Sequence, residues 1–139
     1  MENKHQVLDA LNEALRLEYS MIIHYPLISK SIYDDDIREM VKILGTVSIK
    51  HADTLANAIT VMGGKPAWEF DEAPTDMDLN KIFLKQLDKE HLAFRLHSDS
   101  ASKMTDRDLR TKFQAIANDE QDHIRLVENI LALIGQGKG

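Results

Sequence analysis

LRTKFQAIANDEQDHIRLVENILALI, residues 109–134, sets apolar side chains at Leu109, Phe113, Ile116, Val127, Ile130 and Ile134 and slots Glu120 and His123 into the same spacing. Steps alternating between three and four residues describe one buried face of a helix. The stripe therefore carries a carboxylate and an imidazole one turn apart near its middle, in Glu120-Gln121-Asp122-His123. Burying a carboxylate without a partner costs several kcal/mol or forces it to the neutral form. Something must compensate these groups.

The other segments repeat the pattern. One stripe runs Leu8, Leu11, Leu15, Glu18, Ile22, Tyr25; a second runs Ile37, Val41, Leu44, Ser48, His51, Leu55, Ala58, Met62; a third runs Phe83, Leu87, Glu90, Phe94, His97, Ala101, Met104. Strand-like alternation is absent, so the spacing predicts an all-α chain with helices over about 3–31, 35–62, 77–103 and 107–134. Asp34-Asp35-Asp36 and Thr105-Asp106 supply carboxylates for helix N-termini, and Gly63-Gly64 and Gly135 mark C-terminal ends. Pro26 falls inside the first pattern and should kink it or end its regular bonding.

Two of the connections are short and force antiparallel neighbours. The third, Gly63 to Asp76, holds Gly63, Gly64, Pro66 and Pro74 and should be irregular. A helix of about 28 residues is roughly 40 Å long, which about 13 extended residues can just span. The expected arrangement is one domain over 1–139, a four-helix bundle of two antiparallel hairpins joined by a long crossover.

A shift of 72 positions relates the two halves: Glu18 maps to Glu90, Ser48 to Glu120, His51 to His123 and Tyr25 to His97, and the apolar positions follow the same shift. A duplicated hairpin packed about a pseudo-twofold axis would gather the polar positions at the bundle's centre. Three carboxylates converging there would repel one another. The nearby basic residues Arg16, Lys50, Lys89 and Arg125 lie off the stripes, which leaves bound cations as the natural neutraliser.

Composition narrows the chemistry. With no Cys, disulfides, iron–sulfur clusters and thiolate sites are excluded, leaving His, Asp and Glu as ligands. The net charge of −6 and the absence of basic clusters argue against a nucleic-acid partner. No uncharged stretch approaches a membrane span, and Met1-Glu2-Asn3-Lys4-His5 does not begin like a secretory signal, so a cytoplasmic location is expected.

These residues resemble the ferritin-like superfamily, and within it the bacterioferritin and rubrerythrin branches. The family pattern is Glu on the first helix, Glu-x-x-His on the second, Glu on the third and Glu-x-x-His on the fourth. Here it reads Glu18; Ser48-Ile49-Lys50-His51; Glu90; Glu120-Gln121-Asp122-His123, and Lys50-His51-Ala52-Asp53 followed by an apolar run and Gly63 looks like the bacterioferritin second helix. The resemblance implies a non-haem site for two iron ions, with Glu18 and His51 serving one, Glu90 and His123 the other, and Glu120 bridging. It implies oxidation of Fe(II) by oxygen or peroxide, a homodimer or larger assembly, and Tyr25 near the metal pair.

The departures carry consequences of their own. Ser48 stands where a second bridging Glu belongs, so two divalent cations would face three carboxylates; binding should weaken, and one position alone could fill, with Fe, Zn or Mn. His97, two turns after Glu90, is a candidate additional ligand or hydrogen-bonding partner. Ile49 replaces the bacterioferritin haem-binding Met, so haem is not expected, and Ala93 replaces the extra Glu of rubrerythrins.

Each residue also has a plainer reading. A single His51 or His123 would ordinarily be a satisfied core histidine, and Tyr25 a core ring with its hydroxyl at a boundary. His5, His24 and His91 fall off the stripes and read as solvated or interfacial; Asp53 and Asp119 read as surface carboxylates. Trp68 and Phe70 either cover the crossover or line a subunit interface. Two rival functions stay open: a metal-binding or iron-sequestering protein without catalysis, and a metal-free bundle serving oligomerisation.

Overall fold

The computed structural model describes residues 3–75 and 78–137. Four helices, α1 (Asn3–Ser29), α2 (Asp35–Val61), α3 (Leu79–Lys103) and α4 (Arg107–Gly135), make up the fold, with no strand among the described residues. The expected start of the third helix at 77 and the expected end of the crossover at Asp76 lie outside the described residues. Helix α1 stops two residues before the expected 31, where Ser31 and Ile32 turn their N–H groups to the carbonyls of Ile28 and Ser29 at 3.0 and 3.1 Å. Pro26 does not end the helix, which continues through it to Ser29. Proline removes one donor, and burial of Ile28 in the core holds the last turn in place.

The caps are local chemistry. Asp34 accepts from the N–H of Ile37 and Asp106 from that of Leu109, both at 3.0 Å, while Asp78 accepts from Asn80 and Lys81. Helix α2 ends in a Schellman turn: Gly64 N–H donates to Ile59 O at 2.9 Å and Gly63 N–H to Thr60 O at 3.0 Å. Gly63 has φ of 87°, which a side chain would strain.

Helix α1 pairs with α2 and α3 with α4, and the hairpins meet along α1–α3 and α2–α4. The crossover is fastened to α1 in ascending order. Asn12 donates to Lys65 O at 3.2 Å and accepts from Ala67 N–H at 2.9 Å; Tyr19 meets the Trp68 and Phe70 rings edge-on at 5.3 and 5.6 Å. Asp71 closes the series by donating its N–H to Ser20 Oγ at 2.8 Å, accepting from His24 Nε2 at 2.7 Å on its carbonyl, and pairing its carboxylate with Arg16. His24 is therefore not solvated: it is 4% exposed, buried by a strand of chain 47 residues away. Trp68 and Phe70 lie over α1 and remain about half exposed.

The apolar core falls into two regions. One gathers Leu11, Leu15, Leu55, Ile59, Phe113 and Ile116; the other gathers Ile37, Val41, Leu44, Phe83, Val127 and Ile130. Each such side chain contributes about 1.5–3 kcal/mol on burial. Between the two regions lies a layer of groups that belong in water.

Candidate metal centre

That layer holds every polar residue of the stripes. Glu18, Ser48, His51, Glu90, Glu120 and His123 are each 5% exposed or less, and His97 is fully buried. Helical period places them there: each sits at a step of three or four from its neighbours on the stripe.

Glu120 is the centre of the arrangement. His51 Nδ1 approaches its Oε1 to 3.1 Å and His123 Nδ1 to 3.9 Å, and the two imidazole rings are 5.7 Å apart. His51 Nδ1 also donates to Glu18 Oε2 at 3.2 Å, while His123 Nδ1 lies 3.5 Å from Glu90 Oε1. Glu18 thus sits with His51, and Glu90 with His123, on either side of Glu120. His97 Nε2 stands 3.9 Å from Glu18 Oε2. Ligand atoms of Glu18, His97 and Glu120 lie within 4.8 Å of one another, as do those of Glu90, Glu120 and His123.

Hydrogen bonds do not exhaust these groups. Both nitrogens of His97, Nδ1 of His123 and Oε1 of Glu120 are buried and accept or donate no hydrogen bond. A buried polar atom left unpaired costs about 1–3 kcal/mol, and these cluster in one place. Carboxylate oxygen together with imidazole nitrogen is the donor set that suits iron, zinc or manganese.

Protons hold the metal-free balance. Burial and then the charges of Glu18 and Glu90 push the pKa of the Glu120 carboxyl well above its usual range. Burial opposes ionisation of Glu18 too, yet the hydrogen bond from His51 and the approach of His97 outweigh it and hold its pKa low. Burial likewise opposes charge on His51, but its bonds to Glu18 and Asp119 raise its pKa overall. Both His51 nitrogens face carboxylates, Nδ1 that of Glu18 at 3.2 Å and Nε2 Asp119 Oδ2 at 2.9 Å, an arrangement that favours the imidazolium.

Several contributors were not evident in the sequence. Asp119, a surface carboxylate by its spacing, is half exposed, but its Oδ2 holds His51 Nε2 at 2.9 Å. Gln86, one turn before Glu90 on the same face, donates to Glu90 Oε2 at 2.6 Å. Lys89 reaches past its stripe to line a small cavity with Glu18, Ser48 and Glu90, and its ammonium lies 3.5 Å from Asp71. That cavity, about 10 Å³, has room for one water-sized group beside Ser48. Tyr25 packs its ring on Gly45, two turns along α1 from Glu18. Asp53 is exposed.

No family model and no curated protein matches the chain. Among solved structures, a ferritin-like, diiron-carboxylate protein from Bacillus anthracis superposes with a TM-score of 0.83 at 20% identity, over 94% of this chain and 99% of that one. The chain has the ferritin-like fold. A bacterioferritin from Desulfovibrio desulfuricans, described with a diiron site, shares the fold with a TM-score of 0.77 at 24% identity, over 97% of this chain and 83% of that one. A dodecameric thioferritin from Bacteroides fragilis follows the same course with a TM-score of 0.79 at 19% identity, over 96% and 88% of the two chains. In this ferritin-like bundle all four helices contribute to the polar layer, and none is long and apolar enough to cross a membrane among the described residues.

Proposed function

We propose that the chain is a non-haem dimetal carboxylate protein that binds two iron ions and oxidises Fe(II) with oxygen or peroxide. One observation carries the reading: two buried imidazole Nδ1 atoms flank Glu120 from either side, each beside a further carboxylate, with Glu120 Oε1 and His123 Nδ1 lacking any hydrogen bond. Glu18 and His51, with His97 near at hand, would hold one ion; Glu90 and His123 would hold the other; Glu120 would serve both.

Bound iron supplies the one-electron chemistry, and the chain supplies the setting. Any proton on Glu120 would have to leave before its carboxylate could hold a cation, and His51 would have to release the proton on Nδ1. Asp119 keeps the Nε2 proton in place, so the lone pair left on Nδ1 points at the centre. Gln86 fixes the Glu90 carboxylate, and the apolar regions above and below restrict water. Three carboxylates against two divalent cations leave a positive charge that a fourth would cancel, so weak binding of the second ion is expected.

A second reading has its own support. Around Glu18 the nitrogens of His51 and His97 make one half of the layer richer in imidazole, while Ser48 offers only a hydroxyl. That asymmetry favours one firmly held Fe, Zn or Mn and a sequestering role without turnover.

Elemental analysis of protein purified without added metal, followed by anaerobic Fe(II) titration, separates the readings. Two ions per chain, with ferric absorption on oxygen that a Glu120→Ala variant lacks, is the expected result. One ion without ferric absorption would establish the sequestering reading. No saturable binding, with a melting temperature indifferent to chelator, would leave a metal-free bundle. A homodimer or larger assembly is proposed alongside, because the first hairpin leaves Leu27, Ile43 and Ile49 about half exposed; sedimentation would measure it.

A further inference from the structure

His97 is the most completely buried polar side chain among the described residues, at 0% exposed, and neither of its ring nitrogens makes a hydrogen bond. An apolar ring would fill the same space without leaving two polar atoms unmet. The imidazole is directed at the opposite hairpin. From α3, His97 Nε2 stands 3.9 Å from Glu18 Oε2 on α1, beyond hydrogen-bond reach, and ligand atoms of His97, Glu18 and Glu120 lie within 4.8 Å of one another. Two donors on one ion, each about 2.1 Å from it, stand up to about 4.2 Å apart. The separation of Glu18 and His97 therefore suits a shared cation, where it is too long for a shared proton.

The other half of the layer is built differently. Glu90 and Glu120 are joined there by His123 alone, whereas His51 and His97 both approach Glu18, at 3.2 and 3.9 Å. The shift of 72 positions puts Tyr25 where His97 stands in the second hairpin, and the Tyr25 ring packs on Gly45. It also puts Ser48 in the place of Glu120. One exchange withholds a carboxylate and the other adds an imidazole, so the layer holds Glu18, Glu90 and Glu120 against His51, His97 and His123.

We infer, on the strength of the dimetal reading, that His97 is a metal ligand and makes the two ion positions chemically unlike: the position at Glu18, His51 and His97 selects imidazole-preferring ions such as zinc or cobalt, and the position at Glu90 and His123 does not. Imidazole suits the later ions of the first row, while carboxylate-dominated sets suit manganese. Iron is served by both kinds of donor and can fill either position. Affinity rises from manganese through cobalt at any such site, so the mark of His97 is a ratio between metals at one position and not a bare affinity.

Cobalt(II) is the probe, because its visible absorption reports its ligands, and manganese(II) is the comparison; both are titrated without oxygen into the full chain freed of metal. The parent should take up its first Co(II) more tightly than its second. His97→Phe keeps a ring in the space and removes both nitrogens, so the metal-free melting temperature should be unchanged or higher. Losing a group that only supports a ligand weakens metal binding about 10–100-fold, so the first Co(II) should be held at least about tenfold less tightly. Its visible absorption should change as well, with Mn(II) affinity nearly unaltered. Should the Phe variant fail to fold, His97→Gln should show the same loss for Co(II) and the same spectral change. Two equivalent Co(II) positions in the parent, unchanged affinity and absorption in the folded variants, or an equal loss for both metals would overturn the inference and leave the dimetal reading standing. Uptake of neither metal by the parent would overturn both.

Discussion

His51 donates from Nε2 to Asp119 at 2.9 Å and from Nδ1 to Glu18 at 3.2 Å, so one buried ring joins an outer carboxylate to an inner one. The outer bond fixes which nitrogen faces the centre. Asp119→Ala should therefore weaken metal binding about 10–100-fold, while half-exposure of the residue keeps the cost in stability small. Competition against a chromophoric chelator measures the first, and chemical denaturation the second. Equal affinity in variant and parent would show the bond to be incidental.

Ser48→Glu should add the missing carboxylate. Its head group needs more than the 10 Å³ now beside Ser48, so Gln86 and Lys89 must move aside. The expected outcome is tighter binding of a second ion, read as a change in stoichiometry at fixed free metal. An unaltered stoichiometry would contradict the placement of position 48 between the ions.

Metal loading should release protons. With its pKa raised well above the ordinary 4.5, Glu120 keeps its proton to higher pH than a free carboxyl, and His51, raised above 6.5, carries its extra proton more often than a free histidine. A cation displaces both, so affinity rises with pH, and an indicator dye in weak buffer records acid on titration.

The same groups set the pH dependence of metal-free stability. Glu120 binds its proton more tightly in the folded chain, so stability falls as pH rises from 4.5 through its raised pKa. The contribution of His51 is complete below 6.5 and fades as pH climbs through its folded value; that of Glu18, whose pKa is lowered, is present above 4.5 and lost in acid. The metal-free melting temperature should thus peak near pH 4.5 and decline as pH rises, more steeply above 6.5. Glu120→Gln should flatten that decline and abolish metal binding together. A parent profile that rises monotonically to pH 9 would contradict the assignment of protons.

Gly45→Ala tests packing alone. A Cβ there would lie 2.7 Å from the Tyr25 ring, so the ring or the backbone must shift. A loss of about 1–3 kcal/mol is expected by denaturant titration.

Helical period made most of this legible. Glu18, His51, Glu90, His97, Glu120 and His123 announce themselves because a polar group on an apolar stripe is anomalous, and the 72-residue repeat groups them. Asp119 and Lys89 escaped because each lies off its stripe and reaches inward by side-chain length, which spacing does not encode. His24 escaped because what buries it is the crossover, far along the chain. Gln86 was within reach, standing four residues before Glu90 on one face.

Both apolar regions draw residues from α1, α2, α3 and α4 alike, with the polar layer between them. Neither hairpin owns a complete half, so neither can be removed without opening the molecule at both ends. The polar seam crosses the waist of the bundle, and divalent ions seated there would act as rivets through it. Loading should then slow amide exchange most steeply for residues on either side of Glu120, tying the two apolar regions together across the seam.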